Sequence, residues 1–190
     1  MHGHSGIDRV LLTSDQILAR VGQMAADIVR DYGGESGDDD GLIIVPILTG
    51  AMVFTCDLIR RMPVPMKIGL LTVSSYPGTA TTSQGVKFVE DQLDKLKDRV
   101  AGRPVLLVDD ILDSGNTLRA VTAELRDLGA ASVKTCVLLR KENRPEAADV
   151  VGDYVGFDIP DAFVVGYGLD YNDMYRNLPD IVVLKEETFS

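Results

Sequence analysis

Apolar positions along the chain fall into two spacings that take turns. Leu42 to Ile47 and Val105 to Val108 are unbroken apolar runs of strand length, the pattern of strands buried on both faces, and Val133 to Leu139 is a further strand. Between them apolar residues recur every three or four positions. Ile17, Val21, Met24, Ile28 and Tyr32 predict a helix opened by a capping box from Thr13 to Gln16 and closed near Gly33-Gly34. Val53, Phe54, Leu58 and Ile59 mark a second helix, and Leu118, Val121, Leu125 and Leu128 a third, with Gly129 as its stop. Lys67 to Ser74 reads as a strand and Val86 to Val89 as its return. Glu90 to Arg99, charged apart from Leu93 and Leu96, reads as an exposed helical or irregular linker. Strands alternating with helices imply an α/β fold, a central mostly parallel sheet flanked by helices, whose ligands lie at the carboxyl ends of the strands.

The most informative strand end is Val105-Leu106-Leu107-Val108-Asp109-Asp110-Ile111-Leu112-Asp113-Ser114-Gly115-Asn116-Thr117. Its pattern puts Asp109 and Asp110 just past the strand, and the amides of a helix start behind Ser114-Gly115. Those amides lack helical partners and suit a phosphate, with the Ser114 and Thr117 hydroxyls as further donors. The carboxylates suit a ribose diol, a metal ion or both. A phosphate and a diol in one short loop describe a ribose 5-phosphate. The stretch lacks the glycine-lysine pattern of ATPase P-loops and the three-glycine pattern of dinucleotide folds. Read without regard to function, it is an acidic βα turn with an ordinary helix cap.

The formal charge of −10, with no long basic run, makes nucleic acid and anionic membrane poor partners. An anionic ligand must then be held by local donors and metal. Cys56 and Cys136, without metal spacing, read as two buried small hydrophobes in a reducing compartment. His2 and His4 are the only histidines, so a histidine-based triad or a multi-histidine metal site is excluded. No apolar stretch reaches membrane length and the first 30 residues have no signal-peptide centre, which makes the cytoplasm the expected location.

The 105–117 stretch resembles the phosphoribosyl pyrophosphate (PRPP) signature of type I phosphoribosyltransferases. Leu48-Thr49-Gly50-Ala51 resembles the pyrophosphate loop of the 6-oxopurine branch, with Thr49 in place of the usual lysine. In that branch the loop can carry a non-proline cis peptide. Ser74 to Gly85, small and polar over its length, resembles the flexible catalytic loop led by Ser75-Tyr76. Asp153 to Tyr171, followed by Tyr175-Arg176-Asn177-Leu178-Pro179, resembles nearly residue for residue the hood segment of hypoxanthine-guanine phosphoribosyltransferases. Together the resemblance covers about residues 10 to 186.

The resemblance implies one phosphoribosyltransferase domain over 1–190, with a core over about 10–140, a small hood from about 141–190 with the N-terminal tail, and a mobile lid. It implies transfer of the phosphoribosyl group from PRPP to N9 of hypoxanthine or guanine, with Mg²⁺, in a homodimer or homotetramer. It assigns Asp113 as proton acceptor or donor at the purine N7. Asp109, Asp110, Asp113, Ser114, Gly115, Asn116 and Thr117 would hold the ribose phosphate, and Thr49, Gly50 and Arg176 the pyrophosphate. Lys141, Phe163 and Val164 would hold the purine, Ser75 and Tyr76 belong to the lid, and Asp109, Asp110 and Asp170 lie nearest the metal. Two other readings stay open: a xanthine-preferring relative, and a PRPP-sensing regulator on the same fold that does no catalysis.

Overall fold

The computed structural model describes residues 6–32, 41–75, 86–88 and 90–189. Its elements follow the apolar spacings closely. β1 (Ile7–Leu12) and α1 (Ser14–Tyr32) precede β2 (Leu42–Leu48), α2 (Met52–Ile59), β3 (Met66–Ile68) and β4 (Leu71–Ser75). Then come β5 (Val86–Phe88), α3 (Glu90–Val100), β6 (Pro104–Leu112), α4 (Asn116–Asp127) and β7 (Ser132–Lys141). β8 (Tyr154–Ile159), β9 (Val164–Val165), β10 (Ile181–Leu184) and α5 (Glu186–Phe189) complete the chain. The expected lid from Tyr76 to Gly85, the tail before Gly6 and most of the acidic turn at 37–41 lie outside the described residues.

The described residues form a seven-stranded sheet in the order β5-β4-β2-β6-β7-β8, with β3 also on β2. Every pairing in it is parallel except β4 with β5. Because side chains alternate across a strand, the sheet has two faces. Leu42, Ile44, Leu106, Val108, Cys136 and Leu138 point to one and pack with Ile17, Val21, Ile28, Phe54 and Leu58 of α1 and α2. Ile43, Val45, Val105, Leu107 and Val137 point to the other and pack with Leu96, Val100, Leu118, Val121 and Leu125 of α3 and α4. The charged 90–99 stretch is therefore helical, anchored on the sheet by its few apolar residues. A second, three-stranded sheet, order β1-β10-β9, is not hydrogen-bonded to the first, but its Val164, Ile181 and Val183 pack into the same core as α1 and α2.

Three expectations change. The strand expected over Lys67 to Ser74 is two strands, β3 and β4, which pair with opposite ends of β2. Between them the Gly69 amide donates to the Ile44 carbonyl, and Leu70 turns outward. β6 does not stop before its carboxylates: Asp109, Ile111 and Leu112 continue the ladder to Val137, Leu139 and Arg140 of β7. Cys136 is buried as expected, but Cys56 is exposed on the outer side of α2. The capping box forms, with the Thr13 amide donating to Gln16 Oε1 at 2.9 Å.

Candidate active site

Three parallel strand ends meet where β2, β6 and β4 stop. They leave a cavity of about 420 Å³ whose lining includes Thr49 and Gly50 after β2, Asp109, Asp110 and Asp113 from β6, Ser114, Gly115 and Thr117 before and in α4, and Asp170 and Arg176 from the loops after β9. Ligand sites in open α/β sheets lie at such carboxyl ends. The Leu48-Thr49 peptide bond is cis. Gly50 has no room for a side chain, since an added Cβ would sit 1.9 Å from Asp110 Oδ2. The loop and the carboxylate are thus packed directly against one another.

Gly115 caps α4 with φ of 77°, a conformation that favours glycine, and no side chain caps the helix. Asp113 is therefore free of the capping role that an ordinary βα turn would give it. The first bond of the helix runs from the Arg119 amide to the Gly115 carbonyl. The amides of Thr117 and Leu118 precede it, and both residues line the cavity. This is the anion-receptive end of the site. Asn116 is exposed, and its side-chain oxygen accepts from Arg119 at 3.0 Å rather than lining the cavity.

The acidic wall is electrostatically strained. Burial, and after it the charge of Asp110, pushes the Asp109 carboxyl well above the usual carboxylate range, and burial raises Asp110 as well. The Asp110 amide donates to Asp109 Oδ1 at 3.0 Å. Two such carboxyls cannot both ionise cheaply, so a ligand bringing positive charge or hydroxyl donors is favoured there. Arg176 supplies part of that charge. It lies 2.8 Å from Asp170 Oδ1 and 2.9 Å from Asp173 Oδ1, and donates to the Gly168 carbonyl.

Beside this cavity lies a wider one of about 1000 Å³, whose walls include Lys141, Asp161, Ala162, Phe163 and Glu187. Lys141 ends β7, nearly buried, with its Nζ 2.9 Å from Asp113 Oδ2. That ion pair joins the two cavities. Phe163 is 37% exposed, lines this cavity and meets Tyr171 edge to face with ring centroids 5.6 Å apart. Val164 is buried in β9, paired with Val183. Ser75 ends β4, and Tyr76 is outside the described residues.

The sequence family described as phosphoribosyl transferase domain matches residues 11–172. The hypoxanthine-guanine phosphoribosyltransferase of Mycobacterium tuberculosis is 42% identical over 188 residues, spanning 96% of this chain and 89% of the relative. The chain belongs to the hypoxanthine-guanine phosphoribosyltransferases. That of Staphylococcus aureus is 38% identical over 187 residues, 98% of this chain and 99% of its own. Among solved structures, a point mutant of Trypanosoma cruzi hypoxanthine phosphoribosyltransferase, complexed with the product IMP, superposes with a TM-score of 0.88 at 35% identity, over 100% of this chain and 96% of that one. Of the two adjoining cavities, one is anion-receptive at the start of α4, and the other has charged side chains around the ring of Phe163.

Arg144 and Asp161 were not singled out by the sequence, yet both stand at the join of the two cavities. Arg144 Nε is 2.9 Å from Asp113 Oδ1, and its terminal nitrogen is 2.5 Å from Asp161 Oδ1. The only available signal was a basic residue in the turn after a strand whose end was already suspected.

Proposed function

We propose that this phosphoribosyltransferase transfers the 5-phosphoribosyl group of PRPP to N9 of hypoxanthine or guanine, releasing pyrophosphate and forming IMP or GMP. The observation that carries the proposal is the pair Lys141–Asp113, one donor and one acceptor side by side between an anion-receptive loop and the cavity that Phe163 lines. A 6-oxopurine offers the matching pair, O6 as acceptor and N7 as the neighbouring proton site. In this reading the C1′–N9 bond forms as the C1′–oxygen bond to pyrophosphate breaks. The N7 proton passes to Asp113 as positive charge leaves the ring. Phe163 stacks on the purine, and Val164 backs it. Ser114, Gly115 and Thr117 wrap the 5′-phosphate, Asn116 contributes only its backbone at the helix start, and Asp109 and Asp110 face the ribose hydroxyls.

Thr49, Gly50 and Arg176 face the departing pyrophosphate. With threonine where the family usually has lysine, Arg176 carries most of the side-chain charge there. The oxygen donors of Asp110 and Asp170 line one cavity, the kind of carboxylate set that Mg²⁺ shares with substrate phosphates. Among the described residues no three His, Cys, Asp or Glu side chains form an ion cage, so substrate oxygens would complete the shell. Bound Mg²⁺ would supply positive charge to the leaving group, held by Asp170 and Asp110, with Asp109 behind them. The three-stranded sheet and the loops around Phe163 form the hood, and the sheet from β2 to β8 the core.

The chain would act in the cytoplasm, a reducing compartment that the free thiols Cys56 and Cys136 suit, as a homodimer or homotetramer. Among the described residues no helix is long and apolar enough to cross a membrane. The test is a transfer assay with PRPP, Mg²⁺ and, in turn, hypoxanthine, guanine, xanthine and adenine. Turnover of the first two above the others is expected. Preference for xanthine would favour the other enzyme reading, and no transfer to any base would favour a PRPP-binding regulator.

A further inference from the structure

Two cations and two carboxylates close a ring at the join of the cavities. Lys141 Nζ lies 2.9 Å from Asp113 Oδ2 and 3.2 Å from Asp161 Oδ1. Arg144 Nε lies 2.9 Å from Asp113 Oδ1, and its terminal nitrogen reaches the same Asp161 oxygen at 2.5 Å. Each oxygen of Asp113 therefore has one cation. The ring ties together the loop after β6, the end of β7 and its following turn, and the loop after β8. Arg144 also lies 3.4 Å from Glu146.

We infer that Arg144 is a positioning residue for Asp113, an assignment that rests on the phosphoribosyl transfer proposed above. When a 6-oxopurine takes Lys141 through O6, the Oδ2 oxygen of Asp113 loses its partner and becomes the acceptor for N7–H. Arg144 remains on Oδ1. It holds the carboxylate in plane through the exchange, where a carboxylate left alone would rotate. The Arg144 Nε is buried, and in the resting arrangement no acceptor is aligned with it well enough for a hydrogen bond. A buried donor left so is costly. A small turn of Asp113 toward the purine would align it, so the resting ring is poised for the change that the base brings about. Asp161 balances Arg144 from the far side and keeps it from following Lys141.

The test uses two nucleotides that differ at N7. IMP has a bare N7; its analogue with carbon at position 9 carries a hydrogen on N7 and needs an oriented acceptor. In the native enzyme the analogue should bind more tightly than IMP. Arg144→Met should lose about tenfold or more of the analogue's affinity and leave IMP within about twofold, since a charge-assisted hydrogen bond has that worth. With hypoxanthine and PRPP, kcat should fall about tenfold to a hundredfold while the KM for PRPP holds. Arg144→Lys, which keeps charge but has no Nε–H, should recover part of both losses, and serves alone if Arg144→Met does not fold. Equal losses for both nucleotides, or none, would overturn the role of Arg144 and leave the transfer reaction standing. A native chain that transfers nothing yet shows the Arg144-dependent preference would overturn the reaction and leave the geometry of Asp113 standing.

Discussion

In the proposed reaction Lys141 sits where a single charge decides between bases. Its ammonium has donors and no acceptor, so it meets the oxygen of a 6-oxopurine and opposes the 6-amino group of adenine. Lys141→Ala should lower kcat/KM for hypoxanthine about tenfold to several hundredfold and narrow its lead over adenine, with PRPP binding little changed; parallel kinetics with the two bases check this. The two thiols offer a second, independent check on the structure. Burial raises the Cys136 thiol far above its ordinary value, whereas Cys56 is exposed. A thiol reagent should modify one cysteine in the native protein and two in denaturant, and two native equivalents would contradict the burial of Cys136. Asp113 and Lys141 were legible in the sequence because each lies at the end of an apolar strand, where the family resemblance gave it a role. Arg144 was not, since its partners Asp113 and Asp161 reach it only through the folded chain. The exposure of Cys56 was readable at helical spacing, since it lies opposite the stripe of Val53, Phe54, Leu58 and Ile59 and one turn before Arg60.

At the level of elements, α1 is fastened to the sheet edge by a polar staple as well as by its apolar stripe. Asp31 accepts from Tyr154 of β8 at 2.6 Å and lies 3.2 Å from Lys134 of β7. These partners, Tyr154 first, hold the Asp31 carboxyl below its ordinary 3.8. A lowered folded value means that the staple's contribution is present above the unfolded value and is lost as pH falls through the folded one. Asp31→Asn should therefore lower the melting temperature at neutral pH, with the gap closing as the pH drops below 3.8. Melting curves of both proteins across that range test it, and a gap that is constant with pH would refute it. The apolar runs made β2, β6 and β7 legible. The extension of β6 through Asp109 and Asp110 was hidden, because carboxylates read as a strand end while the ladder to β7 carries them on. The break between β3 and β4 was hidden too, since Gly69 and Leu70 fit a continuous strand as well as a kink.

For the whole molecule, charge sets the terms. A chain of net charge −10 that takes a polyanion has to import cations. Turnover should vanish in excess chelator and return on adding Mg²⁺, and full activity without divalent ions would remove the metal from the proposal. The three-stranded sheet has another consequence. Ile7 pairs with Leu184, the Lys185 amide donates to the Gly6 carbonyl, and the Thr188 hydroxyl reaches the same oxygen at 3.4 Å. Forming that sheet closes a loop around almost the entire chain, so it is entropically the most expensive ladder to form and the natural last step of folding. A short linker between the two ends would turn that step into a local one. A circularly permuted chain, joined there and opened at the exposed turn around Gly102, should then fold faster than the native order while keeping the same strand neighbours.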